Sequence, residues 1–245
     1  MVSKAVRELD HAQQDDKVKG IIIRIDSPGG VVYDSKTIYN KIVEVKTAKP
    51  VVVQMQSMAA SGGYYIAAPA NYIIASESTM TGSIGVILST MDYTELYNKI
   101  GIEEINIVNT KGNLKVVEDL SDENGEGYKV LQALADDVYD DFVGVVAAGR
   151  GMTVAEVEAI ADGRVYSGKQ ALENGLVDEL GEETEAYAAI ERIAELDEPT
   201  YVVYTDQISS FSNFSMRLAS LLSPEAAVLN ANLDRSLQIM YLMSF

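Results

Sequence analysis

The chain has 245 residues, 47% hydrophobic and 23% charged, the balance of a globular protein long enough for one large α/β domain rather than a disordered chain. Its formal net charge of −18 argues against nucleic acid as a partner. With no cysteine and a single histidine, His11, the sequence excludes a cysteine nucleophile, a thiolate zinc centre and a His-rich metal site.

A Ser-His-Asp triad would have to use His11. That residue sits in a polar stretch, Glu8-Leu9-Asp10-His11-Ala12-Gln13-Gln14, and reads as a solvated surface group. No apolar run approaches the roughly 20 residues of a membrane span, and the start shows no signal-peptide pattern.

In chain order, residues 3–16 predict an amphipathic helix with Ala5, Val6, Leu9 and Ala12 on one face. Residues 20–26 are a β-branched run typical of a buried parallel strand. It ends in Ser27-Pro28-Gly29-Gly30. Such a loop at the carboxyl end of a parallel strand is where α/β ligands bind, although Pro-Gly-Gly also suits a plain turn. Residues 34–46 predict a helix, and Pro50-Val51-Val52-Val53 starts the next strand. The small-residue stretch Gln56-Ser57-Met58-Ala59-Ala60-Ser61-Gly62-Gly63-Tyr64-Tyr65 then leads into a short helix ending near Pro69.

Ser61 therefore falls at a strand-to-helix turn. The position suits a nucleophile, because backbone N–H groups at a helix start can stabilise an oxyanion. It equally suits an ordinary serine N-cap.

Further strands are expected at 72–75, 84–88 and 104–108, with a turn at Thr81-Gly82-Ser83 and a helix over 94–100. The loop 109–115 carries Lys111 and Lys115 and no acidic residue. A long helix over 128–148 presents Leu131, Leu134, Val138, Phe142 and Val145 on one face. Thr153 with Glu156 forms a capping-box signature. Residues 162–168 read as a turn and short strand, 169–173 as a helical turn, and 182–194 as a helix. Repeated strand-helix alternation predicts a layered α/β fold. From Pro199 the composition shifts to a strand-like 201–204 and a Ser-, Leu- and Met-rich tail. There, 215–222 and 226–242 have amphipathic helical spacing. The uncharged end, 239–245, reads as extended apolar peptide suited to a peptide groove or to covering the body.

A serine nucleophile needs a base, and without a credible histidine that base is a carboxylate or a lysine. A lysine works only when neutral, so an apolar site must lower a pKa of about 10.4 by roughly two to three units. Lys111 and Lys115 are the candidates; most lysines are simply solvated.

Three motifs in order carry a resemblance: Asp26-Ser27-Pro28-Gly29-Gly30, Ser57-Met58-Ala59-Ala60-Ser61-Gly62-Gly63-Tyr64-Tyr65 and Thr81-Gly82-Ser83-Ile84-Gly85-Val86. Gly149-Arg150-Gly151-Met152, Ala161-Asp162-Gly163-Arg164-Val165-Tyr166-Ser167-Gly168 and Gly175-Leu176-Val177-Asp178-Glu179-Leu180-Gly181 extend it, so that residues 17–182 are covered. The chain resembles bacterial signal peptide peptidase A, a Ser/Lys-dyad peptidase of the Clp protease–crotonase superfold.

The resemblance implies an α/β fold of repeated β-β-α units. A catalytic domain would span 1–198, and a C-terminal extension, a packing arm or tail, 199–245. It implies Ser61 as nucleophile, Lys115 as general base with Lys111 in reserve, and Ser83 orienting the lysine. The N–H groups of Gly62 and Gly30 would form the oxyanion hole, with neither metal nor cofactor. The family typically shows Ser-Gly-x-x-Lys-Asp at the lysine; here Lys111-Gly112-Asn113-Leu114-Lys115-Val116 keeps only the glycine-to-lysine spacing.

The implied setting is a bacterial membrane protein with an extracytoplasmic catalytic domain and a ring-like homo-oligomer. Its implied substrates are remnant signal peptides and other membrane-associated or unfolded peptides. The N-terminal anchor and an opening strand are absent from this chain, which reads as a soluble fragment. Two rivals remain: a crotonase-fold acyl-CoA enzyme, and a catalytically silent scaffold for membrane-protein assembly.

Overall fold

The β-branched run around Ile21-Ile22-Ile23 forms the middle of a strand, Val18–Ser27 (β1), buried on both faces. The computed structural model describes residues 2–109, 111–116, 120, 122–197, 199–204 and 238–243. These divide into two compact units, one of Met1–Gly85 with Phe142–Phe245, the other of Val86–Asp141. No helix of the described residues is long and apolar enough to cross a membrane.

In the first unit a helix, Val2–Gln14 (α1), precedes β1. A second helix, Val32–Val45 (α2), leads to the strand Val51–Ala60 (β2) and the short helix Gly62–Ala67 (α3). Then come Tyr72–Ala75 (β3) and Met80–Gly82 (β4). After the second unit follow Val154–Glu158, Val165–Ser167 (β5), Gly168–Glu173, Glu179–Leu180 (β6) and Glu183–Ala194. β2 runs parallel to β1 on one side and to both β3 and β4 on the other. β6 adds parallel to β3, and β5 antiparallel to β4. Ile22, Val52 and Ile74 on one face pack against Ala186, Ala189 and Ile190 of the helix Glu183–Ala194. At about 25 cal/mol per Å² of apolar surface, such burial is what holds the layers together.

The C-terminal region extends the same sheet. Gln238–Met243 (β8) lies antiparallel to β1, and Thr200–Tyr204 (β7) antiparallel to β8. This corrects the helix expected over 226–242, whose last residues are strand. Of the two places open to the extended end, 239–243 takes the one against the body, pairing with the edge of β1 rather than lying in a peptide groove, and 244–245 lie outside the described residues. The continuous apolar run Ile239-Met240-Tyr241-Leu242 suits a strand as well as a buried helix segment, and pairing with β1 decides between them. The rest of 226–242 and the helix expected at 215–222 lie outside the described residues.

The second unit holds a helix, Thr94–Ile100 (α4), a 3-10 turn, Asn113–Lys115, and the first part of Glu126–Arg150 (α5). The strands expected at 84–88 and 104–108 do not form. Neither run has a strand partner among the described residues, and β-branched composition without a ladder partner makes no strand. Ile87, Met91, Ile105 and Ile107 are exposed there, Ile107 at 95%. Helix α5 keeps Phe142 and Val145 buried, as their spacing predicts, but leaves Leu134 exposed.

Candidate active site

Strand β2 changes neighbour along its length. Val52 to Met55 pair with β3, whereas Met58 to Ala60 pair with β4. The change coincides with a register slip against β1, from Ile25 opposite Met55 to Ser27 opposite Ala59. The end of β2 is held on the β4 side by two buried threonines. Thr79 Oγ1 donates to Gln56 O at 2.6 Å, and Thr81 Oγ1 donates to Ala59 O at 2.6 Å.

Beyond Ala60 the chain turns sharply. Ser61 has φ 51° and ψ −121°, a region that costs a non-glycine residue roughly 1–3 kcal/mol and persists only where surroundings impose it. Its N–H donates to Gly82 O at 2.8 Å, and its carbonyl accepts from Tyr65 N at 2.9 Å. The side chain makes no capping hydrogen bond to α3, so the ordinary N-cap reading does not describe it.

Behind the turn, Tyr64 is fully buried and its hydroxyl donates to Leu176 O at 2.8 Å. Burial drives that phenol well above its ordinary pKa, so it stays protonated as a structural donor. Tyr65 packs between Tyr39 and Phe142, with ring centroids 5.3 and 5.1 Å away.

The loop after β1 presses onto this turn, backbone against backbone. Gly29 has φ +102°, and a Cβ there would stand 2.6 Å from Gly62 N. A Cβ on Gly62 would stand 3.1 Å from Gly30 N and 2.5 Å from Ser35 Oγ. One on Gly63 would stand 2.8 Å from Ser27 O. Only glycine permits this approach, which brings the backbone of Gly29 and Gly30 against that of Gly62. Ser27 Oγ accepts from Gly29 N at 3.1 Å and closes the turn.

Ser83 stands in the matching place on the neighbouring strand. Ala60 and Gly82 are paired in register, and Ser61 and Ser83 follow them. Ser83 also has φ 51°, and its N–H donates to Arg164 O at 2.8 Å. The Arg164 side chain reaches back to Asp162 and holds that carboxyl at about 2.

Of the residues expected at the site, Ser61, Gly62, Gly30 and Ser83 thus gather at the carboxyl ends of β1, β2 and β4 in the first unit. Lys115 ends the 3-10 turn of the second unit, with Lys111 just before it, and both are exposed. His11 is exposed near the end of α1. Among the described residues no group of three or more His, Asp or Glu side chains is placed to hold a metal ion. Sequence reasoning gave no role to Asp26, Thr79 or Thr81, which fasten β2 through side-chain hydrogen bonds, although Asp26 and Thr81 lie in the quoted motifs. Their signal was slight: an acid just before Ser-Pro-Gly-Gly, and two threonines in a small-residue run.

Comparison with known proteins adds an independent line. A family model described as "Peptidase family S49" matches residues 44–197, and one described as "Clp protease" matches residues 1–83. The chain is 38% identical over 208 residues to an Enterococcus faecium protein named "Putative signal peptide peptidase SppA", covering 84% of this chain and 60% of that one. It is 40% identical to the Synechocystis "Putative protease slr0021", covering 79% of this chain and 70% of that one. It is 37% identical to "Protease 4" of Salmonella typhi, covering 82% of this chain and 32% of that one. The chain spans about 60% of the length of the first of these relatives.

Proposed function

Since the chain belongs to peptidase family S49, we propose that it is a serine endopeptidase working through a Ser61–Lys115 dyad. Ser61 Oγ attacks the scissile carbonyl while Lys115, neutral, takes its proton. The N–H groups of Gly62 and Gly30 receive the oxyanion, and collapse to an acyl-enzyme expels the amine, which takes the proton from Lys115. Water activated by the same lysine then releases Ser61. Ser83 orients the lysine. The observation that carries this reading is Ser61 itself, held at positive φ with no capping duty, where the Gly29-Gly30 loop meets Gly62.

The substrates in this reading are remnant signal peptides and other membrane-associated or unfolded peptides outside the cytoplasm. The name of the Enterococcus relative supports it. The protein would work as a homo-oligomer at the bacterial membrane. The exposed Ile87, Met91, Ile105 and Ile107 support assembly, since apolar surface of this kind is usually covered by a partner.

The test is labelling by a fluorophosphonate together with peptide turnover. Wild type should label at Ser61. Ser61→Ala and Lys115→Ala should each lose roughly 10³-fold or more in kcat, and the double variant should be no worse, because the two act as one unit. Lys111→Ala should stay active. A chain that never labels, or a Ser61→Ala variant with normal turnover, sinks the assignment.

A further inference from the structure

Asp26 is the one residue of β1 that stands opposite three residues of β2, namely Gln56, Ser57 and Met58. A slip of this kind leaves backbone groups without a ladder partner and kinks the strand. Asp26 supplies the missing acceptor from its side chain. Its Oδ1 accepts from Ser57 Oγ at 2.7 Å and from Met58 N at 3.1 Å. We propose that Asp26 is a positioning residue: its carboxylate clamps the slip in β2 and thereby sets where Ser61 and Gly62 stand relative to Gly30. The inference rests on the dyad reading given above.

Position is the reason. Three residues after Met58 the chain reaches Ser61, and three residues after Asp26 it reaches Gly29. The nucleophile turn and the glycine loop thus hang from the two ends of one side-chain clamp. On the other flank, Thr79 and Thr81 tie β2 to the β4 side. Those bonds cannot set β2 against β1, from which the glycine loop springs. The backbone contact between Gly29 and Gly62 leaves no slack for a shifted register.

The clamp uses acceptor geometry, and charge is incidental to it. One oxygen at the reach of a single methylene serves both donors, so asparagine can replace it and alanine cannot. Glutamate carries the oxygen one bond too far.

The experiment measures kcat, KM and fluorophosphonate reactivity for full-chain wild type, Asp26→Asn, Asp26→Glu and Asp26→Ala, with amide hydrogen exchange over residues 58–63. Misplacement of reacting groups by about 1 Å costs up to ~100-fold, so Asp26→Ala should lose roughly tenfold or more in kcat. Its KM should stay near wild type, with faster exchange confined to 58–63. Asp26→Asn should keep wild-type values. Normal kcat in Asp26→Ala overturns the proposal, as does an Asp26→Asn variant equally dead. A loss that merely tracks the unfolded fraction also overturns it. Should Asp26→Ala not fold, the Glu and Asn variants decide: equal activity in both refutes the clamp. Wild type that does not label at Ser61 refutes the dyad reading instead, and exchange at 58–63 still reports on the clamp.

Discussion

Gly168 and Gly149 have no room for a side chain. A Cβ on Gly168 would stand 1.9 Å from Ser76 O, and one on Gly149 2.1 Å from Ala68 O. In both cases the obstacle is backbone, which cannot swing aside. Gly168→Ala should therefore destabilise by roughly 1–3 kcal/mol or more, the range for overpacking a tight contact. Gly149→Ala should behave alike. Thermal unfolding checks both, with Gly144→Ala as the tolerated control because its Cβ meets open space. Ser61 and Ser83 carry a different constraint: both hold positive φ, and each donates its N–H to a neighbouring segment, Ser61 to Gly82 O and Ser83 to Arg164 O.

At the scale of elements, one ion pair ties the end of α5 to the sheet. Arg150 donates to both oxygens of Asp178, at 3.0 and 2.6 Å, and its Nε donates to Gly175 O at 2.9 Å. Asp178 Oδ2 also accepts from Ile73 N at 2.7 Å, so the same carboxylate starts β3. The Arg150 side chain is only 7% exposed. Removing its partner strands a buried charge and a backbone donor, a loss of roughly 3–5 kcal/mol for a buried pair. Asp178→Ala should therefore lower the unfolding midpoint in urea sharply. Arg150→Met, which fills the space without the charge, should cost less. Equal losses in the two variants would count against the stranded-charge account.

For the molecule as a whole, β8 decides which strand is the edge. It covers β1 from Val18 to Arg24, and β7 in turn covers β8. A chain ending at Tyr204 should expose the β1 ladder, whose Ile21, Ile22 and Ile23 are now buried. Uncovered apolar edges associate, and the Ile21-Ile22-Ile23 run is such an edge even with Lys19 and Arg24 at its ends. The truncated chain should self-associate in sedimentation and lose stability, whereas a β8 that contributes little would leave both unchanged.

Much of this was legible along the chain, because local chemistry decides it. The buried strands β1 and β3, helices α1 and α4, and the Thr153–Glu156 capping box follow from hydrophobic period, glycine stops and cap spacing. The ordered motifs around Ser61 and Ser83 pointed to the family that the comparisons then supplied. Tertiary structure alone decided the rest. Whether a short apolar run becomes a strand depends on finding a ladder partner: 238–243 found β1, and 104–108 found none among the described residues. The conformation of Ser61 is likewise unreadable from its neighbours, since positive φ at a serine is locally unfavourable. It is imposed by Gly82, by Tyr65 and by a glycine loop that approaches from another strand.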